Sequence, residues 1–180
     1  MRRTVLAATV DLLVSEGLQG TTVGAVARAA GVHETSVYRR WKTRENLLAD
    51  AVFEHANEAI PVPDTGRVRD DLVVFFGAVA RFLSSPLGRT LVQISFAQQD
   101  GLDDDRIRAD WTTRMDRGES MLRRGVERGE LPVQTDPHLV LEAISSSLIV
   151  RVLLTGEPLD EAVVARLIDL VLDGARTPRS

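Results

Sequence analysis

Apolar positions recur at three- and four-residue steps along nearly the whole chain, and the strict alternation of a half-buried strand is absent. Leu6, Val10, Leu13 and Val14 mark a first helix over residues 3–15, with Gly17 placed to end it. A second helix starts after Thr22, a good N-cap, and stops at Gly31. A third covers 34–41. A fourth follows the cap Thr43 and runs to about 59. Pro61-Val62-Pro63-Asp64-Thr65-Gly66 is the clearest linker. Beyond it the pattern predicts helices over 68–83, 87–98, 104–128, 137–154 and 160–173, broken at Ser84-Ser85-Pro86, 99–102, 129–135 and 155–158. The expected fold is all-α, with about nine helices and no internal repeat.

Charge divides this chain unevenly. Residues 1–44 carry seven bases (Arg2, Arg3, Arg28, Arg39, Arg40, Lys42 and Arg44) against three acids, a net of +4. The whole chain is −4, which leaves −8 for the rest. A basic head on an acidic body confines polyanion binding to the head. With no cysteine, disulfides and thiolate chemistry are excluded. Arg2 and Arg3 before Val5–Val14 resemble the start of a signal peptide, but Asp11 interrupts the apolar run. The run 139–154 contains Glu142 and Arg151 and is too short to span a bilayer. A soluble, cytoplasmic protein without membrane partners is expected.

The informative stretch is TVGAVARAAGVHETSVYRRWKTRENLL, residues 22–48. It reads as two short helices joined by a tight turn. Ala27 permits close approach of the axes, and Gly31 can take the left-handed conformation that turns the chain. Val26, Val32 and Val37 can cover the angle between the helices, and Val37 and Trp41 read as core. His33, Glu34, Thr35, Ser36, Arg39 and Arg40 stay polar on the second helix, whose size suits a major groove. Any helical hairpin can turn on a glycine. Five flanking bases with Tyr38 and Trp41 between them are what distinguish this one.

These residues resemble the DNA-binding domain of the TetR family of transcription regulators. The resemblance rests on Thr22, the Ala30-Gly31-Val32 turn, Tyr38, Trp41, Arg44, Glu45 and Leu47-Leu48, and covers about residues 3–50. Trp41 stands where phenylalanine is usual, and Arg44 where lysine is usual. The resemblance implies a three-helix helix-turn-helix domain over residues 1–48 and a helical ligand-binding and dimerisation domain over 49–180. By position, Thr22, Tyr38, Lys42 and Arg44 should contact phosphates, which fixes register. His33, Glu34, Thr35, Ser36 and Arg39 should lie nearest base edges, with Arg39 able to donate twice to guanine. A minor-groove arm would consist of little beyond Arg2 and Arg3. The expected partners are double-stranded operator DNA, a second copy of the chain and a small-molecule effector. Repression is the expected mode.

In the body, Leu141, Ile144, Leu148, Val152, Val164, Leu167, Ile168 and Val171 are candidates for a dimer interface formed by the last two helices. The alternative is that these helices are the centre of a monomeric bundle. Phe75, Val79, Phe82, Leu91, Ile94, Trp111 and Met115 are candidates to line an effector pocket, the alternative being plain core. Gln93, Ser95, Gln98 or Arg114 could orient a ligand there. An enzyme is disfavoured. His33, His55 and His138 are far apart, and no phosphate loop or nucleophile motif occurs. No metal and no cofactor are expected. A purely protein-binding helical adaptor would explain the body but not the basic, aromatic-flanked helix.

Overall fold

The structure is a computed structural model. It describes residues 1–96 and 104–176, apart from the side chains of 94–96, 104–111 and 153. The described residues form ten α-helices and no strand. These are α1 (Arg2–Ser15), α2 (Gly17–Gly20), α3 (Val23–Ala30), α4 (Glu34–Trp41), α5 (Arg44–Ala59), α6 (Val68–Ser84), α7 (Pro86–Phe96), α8 (Asp104–Glu127), α9 (Pro137–Val150) and α10 (Glu161–Arg176). The one-turn α2 was not expected from the sequence. The helix expected over 137–154 leaves α geometry after Val150 and widens into a π-helical turn over Arg151–Thr155.

Local chemistry explains the boundaries. Side chains of Thr22, Thr43, Asp136 and Asp160 accept from backbone N–H groups three residues on, at 3.1, 3.1, 3.1 and 2.8 Å. Each satisfies a donor that the first helical turn leaves unpaired. Gly31 ends α3 at φ +66°. There Val32 N–H donates to Ala27 O at 3.0 Å and Gly31 N–H to Arg28 O at 3.2 Å. That pairing is a Schellman turn, which a residue without Cβ adopts at little cost.

The chain gathers into two compact units. One holds Met1–Glu58 together with α7; the other holds Ala59–Ser84 and the chain from Asp110 onward. The boundary expected after residue 48 falls inside α5. In the first unit, Val5, Leu6, Val23, Val26, Ala27, Val37, Trp41, Leu47 and Ala51 form one buried cluster. The buried edge of α1 is Val5, Leu6, Thr9 and Leu13. Val14, expected on that stripe, is 64% exposed.

In the second unit α10 packs against α6 and α9. Two glycines on α8 permit close approach. A Cβ at Gly125 would stand 2.8 Å from Val68 Cβ, and one at Gly118 would stand 2.8 Å from Leu141 Cδ1. The proline-rich linker is strapped down. Pro63 O accepts from Arg124 at 2.5 Å and Ile60 O from Arg117 at 3.3 Å. Thr65 donates its N–H and its hydroxyl to the buried Asp71, at 2.6 and 2.7 Å.

Burial corrects five of the eight expected dimer residues. Leu141, Ile144, Leu148, Val164 and Ile168 are each at most 1% exposed within the single chain, so they are core of the protomer. Val152, Leu167 and Val171 are half-buried. The apolar side chains turned outward on this part are Leu139, Val150, Leu154 and Leu170. The reason is periodicity: residues 141, 144 and 148 share one stripe of α9, and that stripe faces inward.

The pocket candidates also divide. Phe82, Leu91 and Met115 are buried, Phe75 and Val79 are half-buried, and the side chains of Ile94 and Trp111 lie outside the described residues. Leu91 falls in the first unit, whereas Phe75, Val79, Phe82 and Met115 fall in the second. A cleft of about 190 Å³ between α6 and α10 is lined by Val73, Val74, Gly77, Arg81, Glu161 and Val164, none of them a predicted pocket residue.

Candidate nucleic-acid interface

Helix α4 is two turns long and buries one edge. Val37 and Trp41, four residues apart, are each 1% exposed and belong to the cluster that also holds Val26 and Ala27 of α3. At 100° per residue, Thr35 and Arg39 fall opposite that edge, with Lys42 just beyond the last turn beside them. His33, Glu34, Thr35, Tyr38, Arg39, Arg40 and Lys42 are all exposed, and Ser36 is half-buried. The structure therefore brings Thr35, Tyr38, Arg39 and Lys42 to the free side of α4, with His33 exposed at its N-cap. Thr22 is exposed at the start of α3. Its oxygen accepts from Ala25 N–H, so the hydroxyl proton remains available to a phosphate.

Three predicted residues are placed differently from the expectation. Glu34 turns toward α3: a Cβ at Gly24 would come within 2.6 Å of its Oε1 and 3.6 Å of Arg28 Nη1. Its carboxylate thus lies by α3 rather than at the outermost edge of α4. Arg44 is turned back onto its own chain. Its Nε donates to Thr21 O at 2.7 Å, its Nη2 donates to Leu18 O, and its Nη1 lies 3.5 Å from Glu45. The guanidinium closes the carbonyl end of α2 and the turn into α3, a common use of arginine at helix C-termini. Arg2 is not a free arm. It donates to both oxygens of Glu54 at 3.0 Å each and to Asp50 Oδ1 at 3.1 Å, and these carboxylates raise its already high pKa.

The sequence reading missed Asp50. Its Oδ2 accepts from Trp41 Nε1–H at 2.8 Å. A buried indole needs such a partner, and a tryptophan in a phenylalanine position was the signal that one existed. Arg40 lies with its guanidinium 5.5 Å from the centre of the Trp41 ring, a cation–π contact. Lys42 takes φ +65° and ψ −49°, and Thr43 N–H donates across it to Trp41 O at 2.7 Å. That strained three-residue turn joins α4 to α5.

The chain matches two family profiles. Residues 5–51 match the one described as bacterial regulatory proteins, tetR family, and residues 62–171 match the tetracyclin repressor-like C-terminal domain. The chain belongs to the TetR family of transcription regulators. It is similar to the HTH-type transcriptional regulator AqdR of Rhodococcus erythropolis, 32% identical over 96% of this chain and 84% of that one. It is also similar to the DNA-binding transcriptional repressor TetR of Mycobacteroides abscessus, 33% identical over 93% and 90% of the two chains. Among solved structures, the TetR family transcription regulator SCO0332 superimposes with a TM-score of 0.84 at 30% identity, covering 96% and 97%. FadR of Bacillus subtilis, solved in complex with stearoyl-CoA, shares the fold with a TM-score of 0.68 at 18% identity, over 97% and 99% of the two chains. The TetR-family assignment makes this a DNA-binding transcription regulator, a class that is not enzymatic. Among the described residues, no single helix is long and apolar enough to cross a membrane.

Proposed function

We propose that this regulator is a repressor that binds a palindromic operator as a homodimer and releases it when a small molecule binds the helical body. The observation that carries the DNA-reading half is the free strip of α4. Thr35 and Arg39 lie opposite the buried Val37–Trp41 edge, with Tyr38 and Lys42 beside them and Thr22 exposed at the start of α3. Arg39 is the base reader, able to donate twice to guanine, and Thr35, Ser36 and His33 flank it. Thr22, Tyr38 and Lys42 hold phosphates and set the register. A mobility-shift titration against salt on the gene's own promoter tests this. Affinity should fall steeply as salt rises, and no shift at low salt would end the reading.

The dimer is supported by the apolar face that the single chain leaves open. Leu154 and Leu170 are 79% and 72% exposed, with Leu139 and Val150 partly so. Two such helices from each of two copies would make a four-helix bundle, and two α4 helices could then reach half-sites about 34 Å apart. The body from residue 49 onward would serve dimerisation and effector binding, with Phe75, Val79, Phe82 and Met115 the apolar side chains nearest to hand. That a protein of the same fold is solved with stearoyl-CoA is consistent with a body able to take a ligand. The effector would favour a dimer whose two reading helices no longer match the operator spacing. A regulator with these parts works in the cytoplasm.

A further inference from the structure

We propose that Trp41 and Asp50 are positioning residues for operator reading: their hydrogen bond fixes the roll of α4 against α5. The inference rests on the DNA-reading function proposed above and adds residues that touch no DNA. Trp41 closes α4, and its Nε1–H donates to Asp50 Oδ2 at 2.8 Å. Asp50 Oδ1 accepts from Arg2 at 3.1 Å, and Arg2 also grips Glu54, one turn further along α5. A single turn of α5 therefore holds both the end of the reading helix and the start of α1.

Two turns of helix have little stability of their own, so packing sets the orientation of α4. The apolar contacts of Val37 and Trp41 are non-directional and leave roll about the helix axis weakly specified. The indole N–H bond is directional and specifies it. Arg39 lies on the opposite side of α4 from this anchor, so roll converts directly into displacement of its guanidinium. A roll of about 10° at the 5–6 Å reach of a helical side chain moves that group by about 1 Å, enough to spoil a two-pronged contact to a base. Phenylalanine at 41 would keep a smaller aromatic ring in the cluster but could not make the bond. Arg2 holds Asp50 by its other oxygen and aims it at the indole, and a carboxylate acceptor makes the bond charge-assisted.

The test uses the full chain and two probes. One is the duplex that the wild-type protein enriches from a random-sequence library; the other is a shuffled duplex of equal length. Trp41→Phe should cut the ratio of enriched to shuffled affinity about tenfold, the loss typical of one charge-assisted hydrogen bond. Affinity for the shuffled duplex, and its salt slope, should not change. Asp50→Ala should do the same, and the double variant should lose no more than either single one. Asp50→Asn keeps an acceptor for the indole and should retain most of the discrimination. In ¹⁵N spectra, the indole signal that vanishes in Trp41→Phe should exchange slowly with solvent in the wild type and quickly in Asp50→Ala. An unchanged ratio in a natively melting Trp41→Phe overturns the role. So does an equal loss on both duplexes, which marks a merely structural bond. If Asp50→Ala does not fold, Trp41→Phe alone decides. If the wild type enriches no sequence, the DNA-reading function falls, and this inference with it.

Discussion

Arg44 offers a clean separation between holding the protein together and holding DNA. Its guanidinium reaches back 23 and 26 residues to the carbonyls of Thr21 and Leu18, with Nε at 2.7 Å from the first. Replacing it by lysine preserves the charge but removes the rigid fork that meets two carbonyls at once. A hydrogen bond from a charged donor contributes about 1.5–3 kcal/mol. Lysine can retain one of the two bonds, and the side chain is 29% exposed, so water recovers part of the loss. Arg44→Lys should therefore destabilise the protein by about 1–2 kcal/mol, at about 2–4 °C of melting temperature per kcal/mol for a chain of this size. Urea unfolding followed by circular dichroism reads the stability, and a salt titration of DNA affinity reads phosphate contacts. The expected result is a lower urea midpoint with an unchanged salt slope. If Arg44→Lys unfolds like the wild type while Arg44→Ala lowers the salt slope by about one, Arg44 is a phosphate ligand and the staple is wrong.

Other consequences can be checked together. Gly125→Ala should cost about 1–3 kcal/mol, because the new methyl meets Val68 at its branched Cβ, whereas Gly118→Ala should cost less, because it meets only the movable end of Leu141; equal urea midpoints for the two would contradict this. Lys42→Gly should stabilise the protein by about 1 kcal/mol by relieving the positive-φ turn while weakening all DNA by one phosphate contact; a thermal melt below the wild type's would show that no strain is stored there. Acid should unfold the protein partly through Glu130 and Asp169. Burial pushes Glu130 up, but hydrogen bonds from Arg128 and Val68 N–H outweigh it, and Arg69 holds Asp169 down, so both titrate below their usual range. Their contribution is complete above the unfolded values of about 4 and is lost as pH falls through the lower folded ones. Glu130→Gln and Asp169→Asn should each flatten the acid limb of a stability-against-pH curve. Leu170→Glu should leave a folded monomer by sedimentation, with operator affinity lost; a persistent dimer would move the interface elsewhere.

The helices of the reading head were legible because their signals are local. Thr22, Gly31 and Thr43 act within four residues of the groups they satisfy, and the Val37–Trp41 edge shows directly in the spacing. What the sequence hid is long-range. Nothing near Gly17 announces α2, since its carbonyl end is closed by Arg44 from across the fold. Arg44 and Arg2 look like any other bases in a basic stretch, and only tertiary structure shows that both already have carboxylate or carbonyl partners. Five of the eight dimer candidates prove to be protomer core for a related reason. Both sides of α9 are apolar, so the pattern names the residues without saying which stripe meets its own chain. Leu141, Ile144 and Leu148 proved to be the inner one.

Selection of random-sequence DNA by the purified full chain puts operator reading by α4 to the test. The expected product is an enriched two-fold symmetric sequence whose half-sites lie about one helical turn apart, with a guanine in each half-site whose preference relaxes in Arg39→Ala but survives in Lys42→Ala. A pool that stays unenriched, or an enriched site that is indifferent to Arg39, would contradict it.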